Sequence, residues 1–348
     1  MDDFDVYQIY QQLKGISLSD ALTAFDNLRD DELTFEIADK YFASFGAGNV
    51  SNNLDRPYER FVCYEHLLKM LHSKNLSKFK KMHKGTAYFF LAWTAFQIRD
   101  YERGLFYMDA TIVEDKRIPS RKWETTRLGK VLTLIKEEWM FFFEKEAVDR
   151  VILVQQDFKT KFQCDLTQDK FRNFVISFIG GSKNNRSSII TALYSFILEY
   201  FDRKAMLLLR SSEGGTIEPF LMHLLKGTVI FETLIKETAQ SKSWKMDSGK
   251  GKGDPIMTLG NLNFCSNFTG RYCKLKDNKG VNNLQDILNL IKTVDKETAI
   301  NTVYFLRNKV THDLRWDDIF NDVTNYEKLF WNIINANFIV IYGEFISP

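Results

Sequence analysis

Proline is scarce in this chain, with 5 in 348 residues, and glycine is modest at 18. So few breakers leave long helices uninterrupted. Cysteine is equally sparse. Cys63, Cys164, Cys265 and Cys273 stand at no C-x-x-C spacing, and none pairs with a nearby His in a zinc pattern. A reduced chain with ordinary thiols is expected, and the spacing gives a Cys265–Cys273 disulfide no support. Charge of one sign is missing too. The formal net charge of +2 supplies no bulk basic field, so any nucleic-acid contact needs a local patch. The N-terminus, MDDFDVYQIY, is acidic and lacks an apolar signal core, so a cytoplasmic location is expected. The NFT at 267–269 is a glycosylation sequon only in an exported chain. The long uncharged run 329–343, LFWNIINANFIVIYG, has 15 residues and three Asn. That is too short and too polar to span a bilayer, so a buried terminal helix is predicted and no membrane partner.

What is present favours packed helices. Apolar residues make up 45%, charged residues 26% and aromatics 14%, with 30 Phe. The composition is that of a globular protein, and the length suits two domains or three. Helical spacing dominates. VDRVILVQ (148–155) is the one stretch that also fits a strand. An all-α protein is predicted, in two parts: residues 1–180 and 187–348.

The break between the parts is IGGSKNNRSS (179–188), whose Gly, Asn and Ser mark a loop. A helix through ITALYSFILEYFDRKAMLLLR follows, capped by Ser187 or Ser188. The next, 216–240, carries Pro219 in its first turn. SKSWKMDSGKGKGDP (241–255) reads as a flexible loop. Its SGKGKG lacks the G-x-x-x-x-G-K-[ST] frame of a P-loop. Lys245, Lys250 and Lys252 are candidate RNA-backbone contacts there, with Trp244 and Tyr272 as candidate stacking rings. Later helices are expected at about 282–293, 295–314 and 320–345.

In the first part, KGTAYFFLAWTAFQIRDYERGLFYMDATIVEDKR (84–117) resembles one tetratricopeptide-type helical hairpin. Leu91 and Ala92 fit the first helix, Asp100-Tyr101-Glu102 the turn, and Gly104 the small residue that lets helices approach. Met108 and Thr111 fit later packing positions less typically. The resemblance implies a helical-repeat-like array over residues 1–180, with segments near 57–72 and 123–147 as neighbours to stack on it. An ordinary antiparallel helix pair is the alternative. A protein or nucleotide regulator is the partner class such an array suggests.

In the second part, FLRNKVTHDL (305–314) sets an Arg-Asn pair and a His in an otherwise apolar helical segment. The bare spacing of Arg to His also occurs at Arg60–His66, and about one match is expected by chance. Only Arg307 is followed by Asn. At about 100° per residue, Ile300, Val303, Val310 and Leu314 form an apolar stripe that contains Arg307. A buried guanidinium there needs an acid, a phosphate-like ligand or a second subunit. Asn308 and His312 share the other face, with Asn301 and Phe305 beside them, so that face is expected to meet another surface.

These residues resemble the active-site helix of the HEPN superfamily, across roughly residues 187–348. The resemblance implies a metal-independent endoribonuclease without cofactor, cutting single-stranded RNA at a homodimer interface. Arg307, Asn308 and His312 would be its catalytic residues and Phe305 an interface residue. It also implies a regulated nuclease of the toxin or defence kind. The chemistry suits the residue types. RNA supplies its own 2′-OH nucleophile, and a 2′,3′-cyclic phosphate is the implied product. An imidazole titrates near neutrality and serves as general acid or base. A guanidinium offers a permanent charge to phosphate oxygens. Asn308 orients His312 or holds the phosphate. On an ideal helix Arg307 and His312 point about 140° apart, which leaves three options: a long reach, a distorted helix near Thr311, or a meeting across the dimer. Two rivals stand beside this reading. In one, a non-catalytic helical scaffold binds protein, nucleotide or RNA, Arg307 pairs with an acid such as Glu232, and His312 caps a helix end. In the other, His312-Asp313 belongs to a metal phosphohydrolase, for which His223 is the one further ligand in reach. His223, within FLMHLL, reads as a satisfied core residue.

Overall fold

The computed structural model describes residues 17–43, 56–181, 186–210, 215–249, 251–277, 280–309 and 317–347. Among these the fold is all-α, without a strand, and its one extended pairing is an isolated bridge between Lys245 and Pro255. The chain divides into two compact units: Met1–Val148 with Gly181–Thr191, and Asp149–Gly180 with Ala192–Pro348. Residues 149–180 therefore pack with the second unit, although the sequence suggested a boundary at the 179–188 loop. VDRVILVQ is helical, inside a helix of 21 residues.

The first unit holds α1 (Leu18–Asn27), α2 (Phe35–Phe42), α3 (Pro57–Lys74), α4 (Leu76–Lys81), α5 (Gly85–Gln97), α6 (Tyr101–Lys116) and α7 (Arg127–Leu132). Local chemistry sets several ends. Ser17 caps α1 by accepting the Asp20 N–H, and Pro57 opens α3 where its missing N–H costs nothing. The hairpin expected at 84–117 is present as α5 and α6. Asp100 caps α6 by accepting the Arg103 N–H at 3.1 Å. Gly104 lies against Phe96, and a Cβ there would come within 3.0 Å of that ring. Of the expected neighbours, α3 packs on α5. Residues 123–141 instead form a 3₁₀ turn, the six-residue α7 and turns, too little to make a second hairpin.

The chain leaves this unit within α8 (Phe142–Phe162). The second unit adds α9 (Gln168–Gly180), most of α10 (Ser187–Leu209, whose start to Thr191 belongs to the first unit), α11 (Glu218–Ser241), α12 (Ser266–Arg271), α13 (Leu284–Leu290), α14 (Lys296–Lys309) and α15 (Val323–Ile341). α11, α14 and α15 pack on one another and form its centre. A ladder of rings from α10, α11 and α15 fills the core: Phe196 stacks on His223, and Tyr200 lies flat on Phe330 at 3.7 Å. Gly227 lets α11 and α15 approach, because a Cβ there would meet Ile333 and Phe196 at 2.5 Å. The segment Val323–Ile346 is long and apolar enough to cross a membrane, yet 72% of its apolar window is buried within the protein. Its buried Asn337 is held by donating to the carbonyls of Gly227 and Ile333.

Candidate functional site

The site is assembled where α14 ends beside α11. Ile300 and Val303 anchor α14 in the core with no exposed surface. Arg307 follows one turn later. Its stem leaves the apolar stripe, and its side chain keeps 41% of its surface exposed. Nε donates to Glu232 Oε2 of α11 at 3.1 Å. This is the pairing named by the scaffold reading. The ion pair engages one nitrogen only. The two terminal nitrogens of Arg307 meet no acceptor among the described residues. Asn308 is exposed next to it. α14 is described to Lys309, and His312 lies outside the described residues, as do Val310 and Leu314.

The face opposite Arg307 differs from the helical wheel. Phe305 is an interior ring, 2% exposed, and Asn301 is 3% exposed. The Asn301 amide accepts the Lys276 N–H at 2.8 Å, so the segment after α12 covers this face. Phe305 therefore offers almost no surface to a second subunit. A wheel drawn on one helix cannot see a neighbouring segment laid over it.

Glu232 ties Arg307 to a second cation. Its other oxygen accepts Lys236 Nζ at 2.8 Å, one turn along α11. Burial raises the Glu232 pKa, but hydrogen bonds from Lys236 and Arg307 outweigh it and hold the carboxyl below its usual range. Lys236 also lines a cleft of about 500 Å³ with Ala239, Gln240, Ser243, Trp244, Lys245, Pro255, Ile256 and Met257.

The walls of that cleft come from the stretch read as a flexible loop. α11 closes with the Trp244 N–H on the Ala239 carbonyl at 2.8 Å and Ser243 at φ +53°, a Schellman-type stop that turns Trp244 back onto the helix end. The chain then forms a hairpin. Lys245 bridges Pro255, the Met246 N–H meets the Asp254 carbonyl at 3.0 Å, and the Gly253 N–H meets the Met246 carbonyl at 2.8 Å. Gly249 and Gly253 take the positive φ values that the turn requires. Asp247 accepts the Ser266 N–H and fixes the hairpin to α12.

The remaining sequence candidates separate clearly. Lys245 lines the cleft, exposed and without an acidic partner among the described residues. Lys252 is exposed on the hairpin; hydrogen bonds from Ser266 hold Asp247 below the usual carboxylate range, with a smaller contribution from the Lys252 charge, and Lys250 lies outside the described residues. Tyr272 does not line the cleft: its hydroxyl donates to the buried Glu344, which also binds Lys242 at 2.6 Å and Arg271 at 3.0 Å. His223 is 1% exposed, with Nε2 on the Phe196 carbonyl and Nδ1 on the Tyr326 hydroxyl, both at 2.7 Å. Burial holds its pKa well below the ordinary imidazole value, as befits a neutral core residue. Arg60 and His66 are both buried in the first unit. None of the four cysteines forms a disulfide among the described residues, and burial raises the Cys63 thiol to about 12.

Lys236, Gln240, Ile256 and Met257 were not read from the sequence as site residues. The nearest signal was Glu232 followed four residues later by Lys236 on α11. Comparison with family models, with curated proteins and with solved structures gave no match.

Proposed function

We propose that this chain is a metal-independent endoribonuclease acting on single-stranded RNA. Arg307, Asn308 and His312 are its catalytic set, completed across a homodimer. The observation that carries this reading is the half-exposed Arg307 guanidinium. Glu232 fixes its Nε, while both terminal nitrogens meet no acceptor among the described residues. That leaves a paired set of N–H donors for the non-bridging oxygens of a phosphodiester. Asn308 adds an exposed amide on the same turn. His312 supplies the proton transfers: it takes the 2′-OH proton as base, or gives one to the departing 5′-oxygen as acid. The 2′-oxygen attacks phosphorus, the bond to the 5′-oxygen breaks, and a 2′,3′-cyclic phosphate remains. Charge on the phosphorane is greatest between these events, where a permanent cation contributes most.

The rival is a non-catalytic helical scaffold. What favours it is the Arg307–Glu232 ion pair itself, which gives the guanidinium a structural partner. Labelled single-stranded RNA incubated in EDTA with the wild-type chain and with His312→Ala separates the two. Wild-type cleavage to cyclic-phosphate ends, reduced at least a hundredfold by the substitution, is the expected result. Equal cleavage by both proteins removes His312 from the mechanism, and no cleavage by either leaves the scaffold.

A further inference from the structure

The cleft at the end of α11 has a lining unlike an ordinary surface depression. Its volume, about 500 Å³, lies in the range of small-ligand sites. No carboxylate lines it among the described residues. Two ammonium groups do, Lys236 and Lys245, and between them sit an indole, a thioether and Ile256. Trp244 and Ile256 are each 6% exposed, so they are fixed walls, whereas Met257 is 64% exposed and free to settle on a ligand face. The hairpin hydrogen bonds hold these walls in place without a ligand. Lys236 and Arg307 grip opposite oxygens of one carboxylate, so the cleft adjoins the guanidinium.

A ligand matched to this site has a flat apolar body, an anion beside it and a second anion one short step away. A nucleotide within a single strand has that form. We propose that the cleft seats the base of the nucleotide flanking the linkage held by Arg307, with Lys236 and Lys245 on its phosphate. The base rests against Trp244, Ile256 and Met257, a contact of modest sequence preference. Lys236 and Arg307 then trade part of their hold on Glu232 for successive phosphates. This assignment extends the ribonuclease reading to its substrate-binding surface, and it is tested separately from cleavage.

The probe is a fluorescein-labelled 2′-O-methyl RNA octamer, which has no free nucleophile, alongside the same octamer with abasic positions. Binding to the full chain is read by anisotropy over a salt series, for wild type, Lys245→Ala and Met257→Glu. Both positions are exposed, and thermal melting checks that each variant is folded. Wild type is expected to bind the octamer at least fivefold more tightly than its abasic form. Met257→Glu should erase most of that ratio. Lys245→Ala should weaken both probes several-fold and lower the salt slope by about 1. A wild-type ratio near one, or one that survives Met257→Glu, overturns the base seat. Should Met257→Glu fail to fold, an unchanged Lys245→Ala salt slope does so alone. Cleavage of unmodified RNA is scored in parallel. Cleavage with no base dependence refutes only the cleft, whereas base-dependent binding without cleavage refutes only the nuclease.

Discussion

A guanidinium carries five N–H donors, and Glu232 takes the Nε one at Arg307. At 41% exposure such a pair contributes little to stability, within about 1 kcal/mol. Its consequence is orientation. The carboxylate fixes the plane of the fork, and its outer edge meets no acceptor among the described residues. Asp115, in the first unit, shows the opposite balance. It is 2% exposed, Arg121 Nε is 3.1 Å from one oxygen, and the other oxygen has no hydrogen bond among the described residues. Burial pushes its pKa up to about 6 despite the nearby Arg121. The folded protein therefore holds this proton over a range where the unfolded chain has released it. The associated stability is complete below about pH 4 and is lost as pH rises through 6. A shift of this size corresponds to about 3 kcal/mol. Wild type should thus lose about 3 kcal/mol relative to Asp115→Asn between pH 4 and pH 7, measured by urea denaturation of both proteins across that range. A difference that does not change with pH would show that the Asp115 carboxyl titrates normally.

Among the helices, α11 is the organiser. Its middle packs through Gly227 on α15, its Glu232 holds Arg307 of α14, and its Schellman end forms one wall of the cleft. Gly227→Ala would set a methyl 2.5 Å from Ile333 and from Phe196, both fully buried. Ile333 sits on α15 and Phe196 on α10, so α11 would have to move away from both. Overpacking of this kind costs about 1–3 kcal/mol, against a helix-propensity gain of about 1 kcal/mol. A net loss of up to about 2 kcal/mol is expected in chemical denaturation, and a raised midpoint would mean that the helices part freely. Helix content was legible because the apolar spacing is regular and breakers are few. The hairpin at 84–117, the Pro219 start of α11 and the buried helix through 329–341 all follow from local pattern. The hairpin at 245–255 did not. Glycine and lysine give the same local signal in a loose loop and in a turn closed by backbone bonds. Its order comes from contacts with residues such as Phe264 and Ser266, which no window around Lys250 contains. Phe305 fails for a like reason: its covering segment is remote in sequence. Glu232 was nameable as an acid in a neighbouring helix. That it engages only one edge of Arg307 is geometry that spacing does not encode.

The whole molecule carries a net charge of only +2, so it has no long-range field to gather RNA. The proposed RNA binding would then rest on a few local cations, and its salt dependence should be correspondingly shallow. That places weight on how one scissile phosphate meets both an Arg and a His. On one ideal helix these side chains diverge by about 140°. A twofold dimer removes the difficulty, because isologous pairing sets each motif opposite its copy. Under the proposed nuclease function, Arg307 of one protomer would serve the linkage on which the partner's His312 acts. Hybrid dimers test this directly. Arg307→Ala and His312→Ala are each expected to be inactive alone. Mixed and allowed to exchange subunits, they form hybrids in about half of all dimers, and each hybrid retains one intact Arg307 and one intact His312 on opposite chains. Cleavage should reappear on mixing, reaching a fraction of the wild-type rate, with mass spectrometry reporting the hybrid population. Hybrids that form and stay silent would require both groups from the same chain, and the helix would then have to bring them together by itself. Activity that returns without detectable hybrids would exclude the dimer as the catalytic unit.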